Sequence, residues 1–119
     1  KHNPELFFTE TNFVENGAPL FRNDIFRKAL RFLNDYNYEK SDWGIDKIWS
    51  HYFESTAHVI HDVTIKHCRP DESTYDHNDG FAAMEYLMKD FYPKYMKEKH
   101  GRDYIYNDVQ REIRSYKLT

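Results

Sequence analysis

Several features that commonly classify a protein are scarce in this sequence. A single cysteine, Cys68, excludes a disulfide within the chain and leaves the redox compartment open. No apolar run approaches the roughly 20 residues that a membrane-spanning helix needs. The net charge of −3 provides no overall attraction to nucleic acid. We therefore expect neither a nucleic-acid partner nor a membrane span. No signal peptide is visible, although an excerpt of a longer protein would lack one. The location is left open, with the cytoplasm favoured.

Aromatic residues are abundant instead. The chain has ten tyrosines, nine phenylalanines and two tryptophans among 119 residues. Each ring buries a large apolar area, so a small domain can be held together by them. Most of the rings fall at helical spacing, which places most of them in a core. Rings that remain exposed can also stack on sugars.

Four helices are predicted from apolar side chains that recur at helical spacing. The first extends from Asn23 to about Tyr36, the second begins near Gly44, the third near Phe81 and the fourth near Asn107. In the first helix, the following side chains form the stripe expected to face the core: Ile25, Phe26, Ala29, Leu30, Leu33 and Tyr36. In the second, the stripe comprises Ile45, Ile48, Trp49, Tyr52 and Phe53.

Few strands accompany these helices. Residues 1–8 are expected to be a loose lead-in, and a short extended stretch is predicted at 13–14. Over 58–67, alternating apolar and polar residues predict one bent strand or two short ones. The predicted class is α/β, with about four helices and a small mixed sheet of two to three strands. So few strands make a poor sheet alone and suit the edge of a larger one. We therefore expect residues 1–119 to form a single partial domain, completed by a missing N-terminal half or by a second copy.

The segment Asp42-Trp43-Gly44-Ile45-Asp46 is the first candidate for chemistry. It places an aromatic ring and a glycine just before a helix, and Asp46 in the first helical turn. A carboxylate there meets the positive end of the helix dipole and is able to accept a proton from a sugar hydroxyl. The alternative is structural: Trp43 anchors the core and Asp46 is a surface acid that compensates the dipole.

Two further segments offer polar groups. His67 ends the predicted 58–67 strand, where an imidazole is able to bind a divalent metal together with carboxylates from elsewhere. A half-buried histidine satisfied by a hydrogen bond is the alternative. Asn12 and Glu15 lie in a polar stretch that either lines a sugar site or is an ordinary exposed strand end. The spacing of His58, His61 and His77 does not fit a zinc site.

The order of these segments resembles a known family. The chain resembles an uncharacterised glycosyltransferase-like family of bacteria and plants in four successive segments. They are residues 11–15 (Thr-Asn-Phe-Val-Glu), 18–21 (Ala-Pro-Leu-Phe), 43–46 (Trp-Gly-Ile-Asp) and a strand leading to His67-Cys68-Arg69-Pro70. The resemblance covers residues 9–75, and 76–119 are expected to be a helical C-terminal extension. More broadly, the segment is similar to the C-terminal, acceptor-side half of GT-A glycosyltransferases, including the galactosyltransferases.

The resemblance implies a metal-dependent glycosyltransferase acting on a nucleotide-sugar donor and a carbohydrate acceptor. It implies that Asp46 is the catalytic base and that His67 is a ligand of a divalent metal, Mn or Mg. Trp43, Gly44, Asn12 and Glu15 would bind substrate. The chain has a single acid where galactosyltransferases have a Glu-Asp pair, and it has no convincing Asp-x-Asp motif. By itself it is therefore expected to be inactive. The alternative is a non-catalytic carbohydrate-binding, accessory or interaction module.

Overall fold

The strands in the described part of the chain form a small antiparallel sheet. The computed structural model describes residues 5–15, 17–37, 41–66, 68, 76–106 and 112–117. Its strands are β1 (Leu6–Thr11), β2 (Ala57–Ile60) and β3 (Glu112–Lys117). β1 lies between β2 and β3, with Thr9 opposite Val59 on one side and Ser115 on the other. The predicted α/β class with a small sheet is confirmed, although the sheet is antiparallel and not mixed.

The helices comprise two separate ones and one long helical run. They are α1 (Asn23–Tyr36), α2 (Ile45–Tyr52), α3 (His77–Tyr86), a π-helical turn (Leu87–Phe91) and α4 (Tyr92–His100). The last three follow one another without a break. Asp76 caps the run, because its carboxylate accepts the backbone N–H of Asn78 at 2.8 Å. Among the described residues, no helix has the length and apolar character that crossing a membrane requires.

Pro93 lies inside this run without ending it. A proline in a helix lacks an N–H donor, and its ring crowds the carbonyl four residues earlier. Here it directly follows the π-helical turn, where the regular pattern of bonds to the residue four positions earlier is already interrupted. The run ends at Gly101, whose φ of 62° is in the left-handed region. The Gly101 N–H donates to the Lys97 carbonyl at 3.1 Å, as is common at helix ends.

The hydrophobic core is made by helices. The following residues form its buried cluster: Ala29, Phe32, Tyr36, Ile45, Ile48, Trp49, Tyr52, Leu87, Met88, Tyr92, Tyr95 and Met96. None of them lies on β1, β2 or β3. Within the described residues, the strands therefore contribute no side chain to this buried cluster, and a bond from Ser50 of α2 to the Asn12 carbonyl joins the end of β1 to the helices.

The predicted apolar stripe of α1 is correct at Ala29, Leu33 and Tyr36 but wrong at Phe26 and Leu30. Phe26 and Leu30, which were expected to face the core, are about half exposed. Phe32, which the stripe omitted, is completely buried. Ala29 and Tyr36 fit the predicted stripe as well as the observed one, so helical spacing alone leaves two rotations open. Packing against rings from α2 and α4 selects the rotation that buries Phe32.

The predicted strands are also corrected in several places. Residues 6–8 form part of β1 and are not a lead-in, whereas 13–14 have no regular structure. β2 covers residues 57–60, but 63–66 lie outside any strand, with Val63 and Ile65 both mostly exposed. Glu112–Lys117 is a strand where a fourth helix was expected. Its β-branched Ile113 and aromatic Tyr116 are residue types that suit a strand once β1 is available for pairing. The expected helix start, Asn107, lies outside the described residues.

Candidate functional site

The start of α2 has the geometry that the sequence predicts. Gly44 immediately precedes the helix with a φ of 92°, a left-handed conformation that favours glycine. Asp46 then lies in the first helical turn and is half-buried. Its carboxylate is therefore close to backbone N–H groups that begin the helix and to the positive end of its dipole.

Trp43 and Gly44 pack against α3. A Cβ atom built on Gly80 would lie 2.6 Å from the Trp43 ring, so this ring rests directly on the α3 backbone. The centroid of the Trp43 ring is 5.2 Å from that of Phe81. A Cβ on Gly44 would meet the Met84 side chain at 2.8 Å. Both residues thus fix the start of α2 onto α3, and their predicted contact with substrate stays a prediction.

Asn12 and Asp46 are brought to the same side of α2. The Ser50 hydroxyl donates to the Asn12 carbonyl at 2.6 Å, which attaches the end of β1 to α2. Asp46 precedes Ser50 by four residues and therefore lies on the same helix face, one turn nearer the N-terminus. Glu15 is exposed on the irregular segment that continues from Asn12. The polar stretch after β1 and the proposed base therefore belong to one region of the surface.

The metal site stays a prediction. His67 lies outside the described residues. Among the histidine, cysteine, aspartate and glutamate side chains of the described ranges, no group of three or more is arranged to hold a metal ion. Those side chains alone therefore do not provide a fitting ligand set.

Sequence reasoning missed a polar chain that crosses the sheet. His61 is buried, and its Nε2 atom lies 2.8 Å from the Thr9 hydroxyl. The same hydroxyl lies 2.9 Å from the Ser115 hydroxyl on β3. The three side chains join the end of β2 to both other strands. The available signal was the alternation of Thr9 and Thr11 on β1, which marks a polar inner face.

A second missed cluster lies at the C-terminal end of α2. The Nδ1 atom of His51 and the hydroxyl of the buried Tyr92 are hydrogen-bonded at 2.7 Å. Burial, and secondarily the charge of Arg102, lowers the pKa of His51. Burial raises the pKa of Tyr92. Arg102 also donates to the carbonyls of His51 and Tyr52, at 3.1 and 3.3 Å, so it satisfies acceptors that the end of α2 leaves open.

A surface cleft is lined mainly by residues of α3 and of the π-helical turn that follows it. It has a volume of about 240 Å³, and we call it the methionine cleft. It is lined by Phe81, Met84, Glu85, Met88, Lys89 and Tyr106. Two of these residues, Phe81 and Met84, also contact Trp43 and Gly44. The cleft therefore adjoins the segment that leads into Asp46.

Comparisons of the chain with protein-family models, with curated proteins and with solved structures found no match. Any function must therefore be argued from the positions and chemistry of the residues themselves. The arrangement around the start of α2 offers a half-buried acid, an adjoining polar segment and an adjacent apolar cleft.

Proposed function

We propose that the chain is the acceptor-side part of a metal-dependent glycosyltransferase, which moves a sugar from a nucleotide-sugar donor to a carbohydrate acceptor. The observation that carries this proposal is the bond between Ser50 and Asn12. It brings the polar segment after β1 to the helix face of Asp46, although the two segments are far apart in sequence. This is the proximity that a common acceptor site requires.

Asp46 is proposed as the general base. Its carboxylate would accept the proton of the acceptor hydroxyl while the hydroxyl oxygen forms a bond to the anomeric carbon of the donor sugar. The bond from that carbon to the diphosphate breaks in the same reaction. Placement in the first turn of α2 puts this carboxylate near the positive end of the helix dipole. A base positioned in this way typically contributes about 10²–10⁴-fold to the rate.

The neighbouring residues are proposed to position the acceptor. The side chains of Asn12 and Glu15 offer hydrogen-bonding groups for sugar hydroxyls beside the helix face of Asp46. Trp43 and Gly44 hold the start of α2 in place through α3. The half-buried Trp43 ring is proposed to form the wall of the site. His67 is proposed to bind the divalent metal. The nucleotide would be bound by residues beyond this chain.

A non-catalytic carbohydrate-binding or interaction module is the second candidate. Its specific support is the packing of Trp43 and Gly44 on α3, which accounts for both residues without a ligand. The concentration of aromatic rings in the helical core likewise explains their abundance without a sugar. This candidate predicts that the polar surface around Asn12 binds glycans or a partner protein but does not support transfer.

The test compares Asp46→Asn with Asp42→Asn in the complete protein. Asp42 is an exposed acid four residues earlier, before the helix begins, and it serves as the matched control. We expect Asp46→Asn to lower transferase turnover about 10²–10⁴-fold with little change in metal affinity. The control should retain its turnover, and His67→Ala should weaken metal binding. A loss below tenfold for Asp46→Asn, or an equal loss in the control, would refute the assignment of the base.

A further inference from the structure

The segment that follows α4 is attached to the C-terminal end of α2 through two of its side chains. Arg102 donates hydrogen bonds to the carbonyls of His51 and Tyr52, at 3.1 and 3.3 Å. The centroid of the Tyr104 ring lies 4.7 Å from that of the His51 ring and 4.7 Å from that of the Tyr92 ring. His51 therefore takes part in both attachments, through its carbonyl and through its ring.

The hydrogen bond between His51 and Tyr92 indicates which ring nitrogen carries the proton of a neutral His51. The Nδ1 atom lies 2.7 Å from the Tyr92 hydroxyl, and Tyr92 is completely buried. In the part of the chain that the structure describes, this hydroxyl has no other hydrogen-bond partner, so its proton is satisfied only when it points to Nδ1. Neutral His51 therefore accepts at Nδ1 and carries its own proton on Nε2.

A second ring proton on His51 disrupts this arrangement. With both nitrogens protonated, Nδ1 becomes a donor, and the hydroxyl proton of the buried Tyr92 loses its acceptor. The imidazolium charge also lies close to the Arg102 guanidinium, which is bonded to the carbonyl of the same residue. A conformation in which the His51 ring reaches water has neither cost, so protonation favours opening of the contact.

The charges around His51 act in both directions, and the opposing ones are smaller. Burial, and secondarily the charge of Arg102, lowers the pKa of His51. A hydrogen bond with the Asp103 backbone and the carboxylate of Glu54, which pairs with Arg102 at 3.1 Å, raise this pKa by less. A helix C-terminus ordinarily favours a charged imidazole, but here Arg102 already occupies the last carbonyls of α2. The closed contact therefore holds His51 neutral.

The other attachments of the segment belong to α4 and do not involve His51. The Arg102 N–H donates to the Met96 carbonyl at 3.2 Å, and the Lys97 ammonium lies 3.0 Å from the Asp103 carboxylate. Tyr104 packs against the buried core cluster from outside and is only partly buried. The segment is therefore able to leave α2 while α4 and the core cluster remain intact.

We propose that this contact is an acid-released latch. When His51 gains its second ring proton, residues 102–104 detach from the end of α2 and the imidazolium reaches water, while the helical core stays folded. The segment after α4 is thus held in place at neutral pH and freed at mildly acidic pH. This proposal does not depend on the glycosyltransferase function and is tested without a substrate.

The test is an NMR titration of the full chain from pH 7.5 to 5.0. The ring signals of His51 report its protonation, the backbone amides of Arg102 and Tyr104 report the latch, and the methyl groups of Ala29 and Met88 report the buried core. We expect the latch signals to shift with the same midpoint as His51, below its ordinary pKa of about 6.5, while the core signals stay unchanged. Constant latch signals, a core that changes with them, or a His51 ring that stays neutral down to pH 5.0 would each overturn the proposal.

Two variants assign the transition to one histidine. His51→Gln removes the titrating group and should make the Tyr104 amide signal independent of pH. His58→Gln is the matched control, because His58 is exposed on β2 and should leave the transition unchanged. A transition that persists in His51→Gln, or disappears in His58→Gln, would contradict the assignment to His51. If His51→Gln does not fold, the titration of the unchanged protein still decides between a released and a fixed segment.

Discussion

Phe32 and Phe26 lie on the same helix, and their substitution separates the observed rotation of α1 from the rotation predicted by the sequence. Phe32 is 0% exposed, whereas Phe26 is 46% exposed. The Phe32 ring has six aromatic neighbours with centroids between 5.1 and 6.1 Å away: Tyr36, Trp49, Tyr52, Phe91, Tyr92 and Tyr95. Truncating Phe32 would leave a cavity at the centre of this cluster.

The expected cost follows from burial. Phe32→Ala should lower the free energy of unfolding by about 3–5 kcal/mol, the usual range for a buried phenylalanine. Phe26→Ala, at a half-exposed position, should cost about 1 kcal/mol or less. At about 4 °C per kcal/mol for a domain of this size, Phe32→Ala should lower Tm by about 12–20 °C.

The assay is urea unfolding followed by circular dichroism, together with a thermal scan. Total stability of a small domain is about 5–15 kcal/mol, so Phe32→Ala also carries a risk of extensive unfolding at 25 °C. Either a large loss or an unfolded variant agrees with the structure, provided that Phe26→Ala folds normally. Equal losses for the two variants, or a larger loss for Phe26→Ala, would refute the observed rotation of α1.

Two further predictions follow from the packing and the electrostatics. Because the folded-state pKa of His51 lies below the ordinary value of about 6.5, the unfolded chain binds its proton first as the pH falls. Stability should therefore decrease as the pH drops below about 6.5. The decrease in Tm from pH 7.5 to 5.5 should be smaller in His51→Gln than in the unchanged protein. Identical decreases in the two proteins would contradict the prediction. Gly80→Ala places a Cβ 2.6 Å from the Trp43 ring and should cost about 1–3 kcal/mol in urea unfolding. Gly17→Ala, with no atom within 4 Å of the added Cβ, is its control, and equal costs would show that the contact with Trp43 is unimportant.

The helices were more predictable than the sheet because their signals are local. α2 carries buried side chains at positions 45, 48, 49 and 52, and this spacing alone indicates the helix and its inner face. In α1 the length was predictable but the rotation was not, since the selecting rings come from other helices. β3 was mistaken for a helix because its partner β1 lies about a hundred residues earlier; the hydroxyls of Thr9 and Ser115 meet across 106 positions. No local pattern contains such a pairing.

In the candidate site, too, local features were predictable from the sequence and long-range contacts were not. The position of Asp46 in the first turn of α2 followed from the glycine before the helix and the apolar stripe after it. The contact between Asn12 and Ser50 joins residues 38 positions apart, and the hydrogen bond between Thr9 and His61 joins residues 52 positions apart. Contacts over such separations depend on how the helices and sheet are assembled. Sequence reasoning therefore identified individual residues and missed the networks that connect them.

Trp43 and Gly44 cannot decide between an enzyme and an accessory module, because packing requires both of them. A side chain on Gly44 would meet Met84 at 2.8 Å and would also have to adopt a φ of 92°. Substituting either residue lowers stability whether or not a ligand binds. Asp46 is different, since a carboxylate in a first helical turn usually stabilises the helix by only about 0.3–1 kcal/mol. If Asp46 is the base, its removal costs about 10²–10⁴-fold in turnover, which corresponds to about 3–5 kcal/mol of activation free energy. For Asp46, the expected loss of transition-state stabilisation exceeds the expected loss of folding stability. Its substitution therefore distinguishes a glycosyltransferase from a non-catalytic module.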